Sequence, residues 1–214
     1  SGRGGFRSLH HGLDLAGQAH AGADDLLSRS TPRRDAVVLT IAELIPPDDP
    51  LLKLPSINIV QIYSWSGEPY PSLYSKLLEI VRFWAIGRLI VDSTGMGEPF
   101  AAFLKSSLGS RVIPFVFTQS SKPRLGYNFL SFINSGRLKL FLADNSSEYS
   151  SVDRELQLAR AVYRPNQTMN FFVEPSEGHD DFLMSLALCV YIAADFHPRE
   201  ARGALRRAPT VYRL

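Results

Sequence analysis

The hydrophobic period changes at Tyr70, and this change limits the fold more than any other feature of the chain. Upstream, FRSLHHGLDLAG reads as a short strand ending at Asp14, and AVVLTIAEL and SINIVQIYSWS, rich in Val, Ile and Tyr, read as two more. The proline-laden IPPDDPLLKLP between the last two can only be a connection. Three strands joined by loops, with no helix between them, suggest an antiparallel set. Downstream, Leu73, Leu77, Ile80, Val81 and Trp84 recur at helical spacing, and Gly87 stands where that helix should end. RLIVD is then a continuous apolar strand that stops at Asp92, followed by a Gly-containing turn, a helix ended by Gly109 and a buried strand in RVIPFVF. Such alternation is that of βαβ units with parallel strands.

The remaining segments complete an α/β mixed sheet. SSKPRLGYNFLSFINSG predicts a helix with Leu125, Phe129 and Ile133 on one face, weakened by Gly126. RLKLFL predicts an edge strand, SSVDRELQLARAVY a helix starting at Ser150 or Ser151, MNFFVEP another strand, and His179 to Phe196 the closing helix. With 214 residues, 45% of them hydrophobic, the chain suits one domain over residues 1–196, followed by a basic tail, 197–214, carrying five arginines. The single cysteine, Cys189, permits neither an internal disulfide nor a zinc cluster and fits a reducing compartment. The longest apolar stretch, Phe182 to Phe196, is too short for a bilayer, and no signal pattern begins the chain, so the expectation is a soluble protein, not secreted and without a membrane partner. At a net charge of +2, any basic surface must be local.

Two carboxylates stand out by position. Asp14 and Asp92 each end a buried strand, where ligand and catalytic groups gather in open α/β sheets. If the first and fourth strands are parallel neighbours, both side chains share one end of the sheet. A third carboxylate would come from Glu177-Gly178-His179-Asp180-Asp181, where Asp180 or Asp181 opens the last helix. One aspartate suffices to cap a helix, and a second adds repulsion unless a cation sits nearby. Oxygen-rich clusters suit Mg²⁺ or Mn²⁺, and two such ions about 4 Å apart hydrolyse phosphodiesters. Each residue also has a plainer reading: Asp14 as a turn-former, Asp180 and Asp181 as a cap. Asp35 is either a carboxylate behind the ligands or a strand-start residue, and His179 either orients a ligand or bonds the helix start. Lys122, Arg124, Arg137 and Lys139 could meet DNA phosphates or simply face solvent. STGMG lacks a full phosphate-loop pattern, so its glycines are expected to let the backbone turn close to the acidic cluster.

Taken together, GLDLA, DAVVLTIAEL, LIVDSTGMGEPFAAFLK, VIPFVFTQSSKPRLGYNFLSFINSGRLKL, RELQLA and GHDDFLMSLAL resemble the carboxy-terminal nuclease domain of the large terminase subunit of tailed bacteriophages, from about Gly12 to Ala194. The resemblance implies a ribonuclease H-like mixed sheet, first three strands antiparallel and later ones parallel, with helices on both faces. It also implies a two-metal centre in which Asp14, Asp92 and Asp181, with Asp180, are ligands. The activity implied is endonucleolytic cleavage of concatemeric double-stranded viral DNA during packaging, in the host bacterial cytoplasm. Implied partners are the portal protein, the small terminase subunit and a packaging ATPase domain with no counterpart in these residues. Two rival readings are another ribonuclease H-like enzyme, a resolvase or transposase, and a non-catalytic docking domain of a packaging complex.

Overall fold

Three antiparallel strands open the molecule: β1 (Ser8–Asp14), β2 (Ala36–Ile45) and β3 (Ser56–Ser66). The computed structural model describes residues 8–14, 36–47, 54–95, 97–165 and 168–195, with residues 8–14 described by their backbone. Asp35 and the tail 197–214 lie outside the described residues. After β3 the chain alternates: α1 (Tyr70–Phe83), β4 (Arg88–Asp92), α2 (Gly97–Leu108), β5 (Val112–Phe115), α3 (Ser121–Asn134) and the two-residue β6 (Leu138–Lys139). The main sheet has the order β5-β4-β1-β2-β3-β6, with β4 parallel to β1 and β5 parallel to β4. This is the expected mixed sheet, and the crossover through α1 carries β4 past two strands to the far side of β1.

The period-two alternation of β2 builds two cores on opposite faces. Leu39 and Ile41 pack with Leu73 and Leu77 of α1 and Phe100 and Leu104 of α2. Val38, Ala42 and Leu44 belong to the other core, with Leu125 and Phe129 of α3 and the closing helix α5 (Asp181–Ala194). That helix is apolar on nearly every side and is buried from Asp181 to Val190, as an all-round apolar helix must be. A polar strip fixes its register on β2. Ser185 Oγ lies 2.8 Å from Thr40 Oγ1 and 3.3 Å from the Val38 carbonyl, and the Cys189 thiol reaches the Thr40 carbonyl at 3.5 Å. Buried hydroxyls thus satisfy one another, and this register brings the first residue of α5 to the start of β2.

Several boundaries differ from expectation. Helix α4 runs Ser147–Leu158 and not from Ser150 or Ser151, because Ser146 caps it by accepting from the Tyr149 amide at 3.1 Å. The segment expected to continue it is instead strand β7 (Arg160–Tyr163), which pairs antiparallel with β8 (Met169–Phe172) in a separate two-stranded sheet. The closing helix begins at Asp181, not His179. Helix α1 ends before Gly87: the Ala85 amide donates to the Arg82 carbonyl and Ile86 to Val81, a Schellman end in which Ala85 takes φ 50°. Burial of Ile86 draws the chain inward there. Gly126 has a packing reason, since a Cβ at that position would stand 2.2 Å from Met169 Cε and 2.7 Å from Phe171 Cδ1. Its helix-weakening backbone is therefore the condition for α3 to lie against β8.

Candidate metal centre

The register of two parallel strands organises this end of the sheet. Gly12 stands beside Ile90 and Leu13 beside Val91, and the next residue of each strand is an aspartate, Asp14 and Asp92. Neighbouring strands are about 5 Å apart, so the two positions are side by side. Across β1, Asp14 faces Val38 of β2. Two residues before Val38, the first amide of β2, Ala36 N, donates to Asp181 Oδ2 at 3.0 Å. Positions 14, 92 and 181, far apart in sequence, are thereby brought to one edge. Among the described residues no group of three His, Cys, Asp or Glu side chains could hold a metal ion, and the side chain of Asp14 is not among those described.

Local chemistry holds Asp92 in place. The Thr94 amide donates to its Oδ1 at 2.8 Å, and burial pushes its carboxyl above the usual range against the opposing pull of Thr94. Thr94 Oγ1 in turn accepts from Phe117 N at 2.9 Å, tying the turn to the end of β5. A Cβ on Gly97 would meet the Asp92 carbonyl oxygen at 2.6 Å, so α2 can start here only on a glycine. The glycines of STGMG do let the chain turn tightly beside Asp92, as expected.

The paired aspartates at the head of α5 do not act as its caps. Asp180 occupies the cap position without a side-chain capping bond, and Asp181 reaches back to β2. The α5 amides are met from outside: Glu155 Oε2, on α4, accepts from Leu183 N at 2.8 Å. Glu155 is 8% exposed and Asp181 5%. Burial first, then the charges of Asp181 and Asp180, push the Glu155 carboxyl up to about 8 despite the Leu183 amide. Sequence reasoning missed Glu155, although the signal existed: it falls three residues after Val152 and next to Leu156, inside the apolar stripe of α4. His179 lines a cavity of about 520 Å³ together with Arg154, Glu155 and Asp181.

The expected basic residues have divergent surroundings. Lys122 lines a pocket beyond β5. Arg124 pairs with Asp195 at 3.0 Å and lies over the Tyr191 ring. Arg137 stacks on Phe132 and donates to Ser135 Oγ at 2.7 Å, bracing the end of α3. Lys139 is exposed on β6.

A mixed sheet in this strand order, covered by helices on both faces, is the ribonuclease H-like fold. Solved structures similar to it include large terminase nuclease domains. The nuclease domain from thermophilic phage G20c superimposes with a TM-score of 0.59 at 18% identity, covering 87% of this chain and 82% of that one. The SPP1 domain with bound manganese gives 0.54 at 11%, covering 87% of each chain. The whole HK97 large terminase gives 0.61 at 13%, and there the match covers 87% of this chain but 40% of the larger protein. At such identities the likeness establishes the fold. No family model matches the sequence, and no curated protein matches it.

Proposed function

We propose that this chain is a metal-dependent endonuclease that cuts concatemeric double-stranded viral DNA during phage genome packaging, by phosphodiester hydrolysis at two Mg²⁺ or Mn²⁺ ions. The observation that supports it is the parallel register of β1 on β4, which ends both strands in aspartates at adjacent positions, with the Asp181 carboxylate bonded to the first amide of the neighbouring β2. Terminase nucleases of the same fold have been crystallised with magnesium, cobalt and manganese, which supports the choice of divalent ions. The donor set fits hard cations: the groups are carboxylates, burial raises the Asp92 carboxyl, and burial together with the charges of Asp181 and Asp180 raises that of Glu155, so a cation here would relieve the cost of ionisation.

In this reading Asp14, Asp92 and Asp181, with Asp180 beside them, hold the ions. When bound, these would neutralise charge on the phosphodiester and lower the pKa of an attacking water. The chain's own residues supply orientation. Thr94 aims Asp92, the Ala36 amide aims Asp181, and Glu155 anchors the first turn of α5, from which Asp181 reaches the start of β2. His179 and Arg154 border the adjoining cavity, where a cationic or hydrogen-bonding side chain meets an anionic substrate. The reading also assigns the chain to the host cytoplasm, working with a packaging ATPase domain, the portal and the small terminase subunit.

The direct test is Asp92→Asn, assayed by nicking of supercoiled plasmid in Mn²⁺. Activity should fall further than the roughly 10–100-fold typical of residues that merely support a ligand, with the thermal midpoint unchanged. Cutting at the wild-type rate by that variant would sink the assignment.

A further inference from the structure

Beyond β5, residues from three elements enclose a pocket of about 430 Å³ that the carboxylate edge does not use. Thr118 and Gln119 come from the β5–α3 connection, Lys122 from the first turn of α3, and Arg164 and Asn170 from the β7–β8 hairpin. No carboxylate lines it among the described residues. Neither the Lys122 ammonium nor the Arg164 guanidinium makes a hydrogen bond or ion pair with a described residue, whereas Arg124, Arg154 and Arg160 are all engaged. Two unneutralised cations lining one concavity repel each other, and an anion bound there relieves that cost.

Shared lining residues place the pocket next to concavities that lead toward the acidic residues. Asn170 lines both it and a second cavity, of about 410 Å³, which His179 and Asp180 also line. Gly178 and His179 are shared in turn with the cavity of Asp181 and Glu155. On its other side the pocket wall is bonded to Asp92 through Phe117 N, Thr94 Oγ1 and the Thr94 amide. Cations at one end of a run of concavities and carboxylates at the other match an anionic polymer threaded through it.

We propose that Lys122 and Arg164 grip a backbone phosphate of the nucleic-acid strand whose neighbouring phosphate is presented to the carboxylate edge. This rests on the endonuclease reading for the identity of the polymer, and it adds Arg164, on a hairpin that sequence periodicity did not reveal, to the substrate surface.

The test is binding of a fluorescein-labelled DNA duplex by anisotropy, in EDTA so that no cutting occurs, across a salt series. Each phosphate neutralised contributes a slope of roughly 0.9 in log K against log salt. The Lys122→Ala/Arg164→Ala chain should therefore bind at least about tenfold more weakly, with a slope shallower by about 0.9, the contribution of the one phosphate the two side chains share. Arg82→Ala/Lys105→Ala removes the same charge from the exposed surfaces of α1 and α2 and should leave the slope within about 0.5 of wild type. Equal losses in both double variants, or none in the first, would overturn the pocket. So would displacement of the duplex by inorganic phosphate at constant ionic strength, which would assign the site to the free anion. Binding with the predicted slope change but no plasmid cutting in Mn²⁺ would uphold the phosphate grip and defeat the endonuclease reading instead.

Discussion

Glu155 is the residue whose behaviour can be worked out most fully. In the folded chain its carboxyl titrates at about 8, because burial and the nearby Asp181 and Asp180 charges disfavour ionisation. In the unfolded chain it returns to 4.5. The folded state therefore binds the proton more tightly, and folding is favoured most below pH 4.5. Stability falls as pH rises through the window up to about 8, then levels off. At about 1.4 kcal/mol per pH unit the ceiling is roughly 5 kcal/mol. Relaxation and water penetration, which raise the effective dielectric, reduce this to the order of 2 kcal/mol. Glu155→Gln keeps an oxygen for the Leu183 amide but cannot ionise. In EDTA, urea unfolding of the Gln variant should match wild type at pH 5 and exceed it by about 2 kcal/mol at pH 9. Parallel stability curves for the two proteins, or a Gln variant weaker at pH 9, would show that Glu155 is not held against its charge.

Two glycine-related changes test other parts of the fold. Ala85→Gly removes the strain of an L-residue at φ 50° and should raise stability by about 0.5–1 kcal/mol in urea, with a decrease counting against the Schellman end as described. Gly97→Ala drives a methyl to within 2.6 Å of the Asp92 carbonyl, so plasmid nicking per folded molecule should drop by roughly 10–100-fold even where thermal denaturation shows most of the chain folded. Undiminished nicking by that variant would mean that the exact placement of Asp92 is unimportant.

Local pattern carried most of the architecture. The period-two runs of β2 and β3, the helical spacing of α1 and the apolar run into Asp92 were all legible, because side-chain alternation is a property of neighbouring residues. The hairpin was not, since RAVY follows a good helical segment directly and becomes a strand only by pairing with Met169–Phe172. Ala85 was missed for a similar reason: the terminating residue was set by the pull of buried Ile86, not by the nearest glycine.

The candidate site divides in the same way. Sequence by itself supplied the aspartates, their places at a strand end or helix start, and the expectation that like charges side by side call for a cation. Only the tertiary structure could decide that β1 lies between β4 and β2, because strand pairing joins residues some eighty positions apart and leaves no trace in either strand alone. It also decided that Glu155 caps a helix 28 residues away, and that Lys122 and Arg164 face one hollow. Whether a charge is solvated, paired or buried depends on what packs over it, and that is settled by elements distant in the chain.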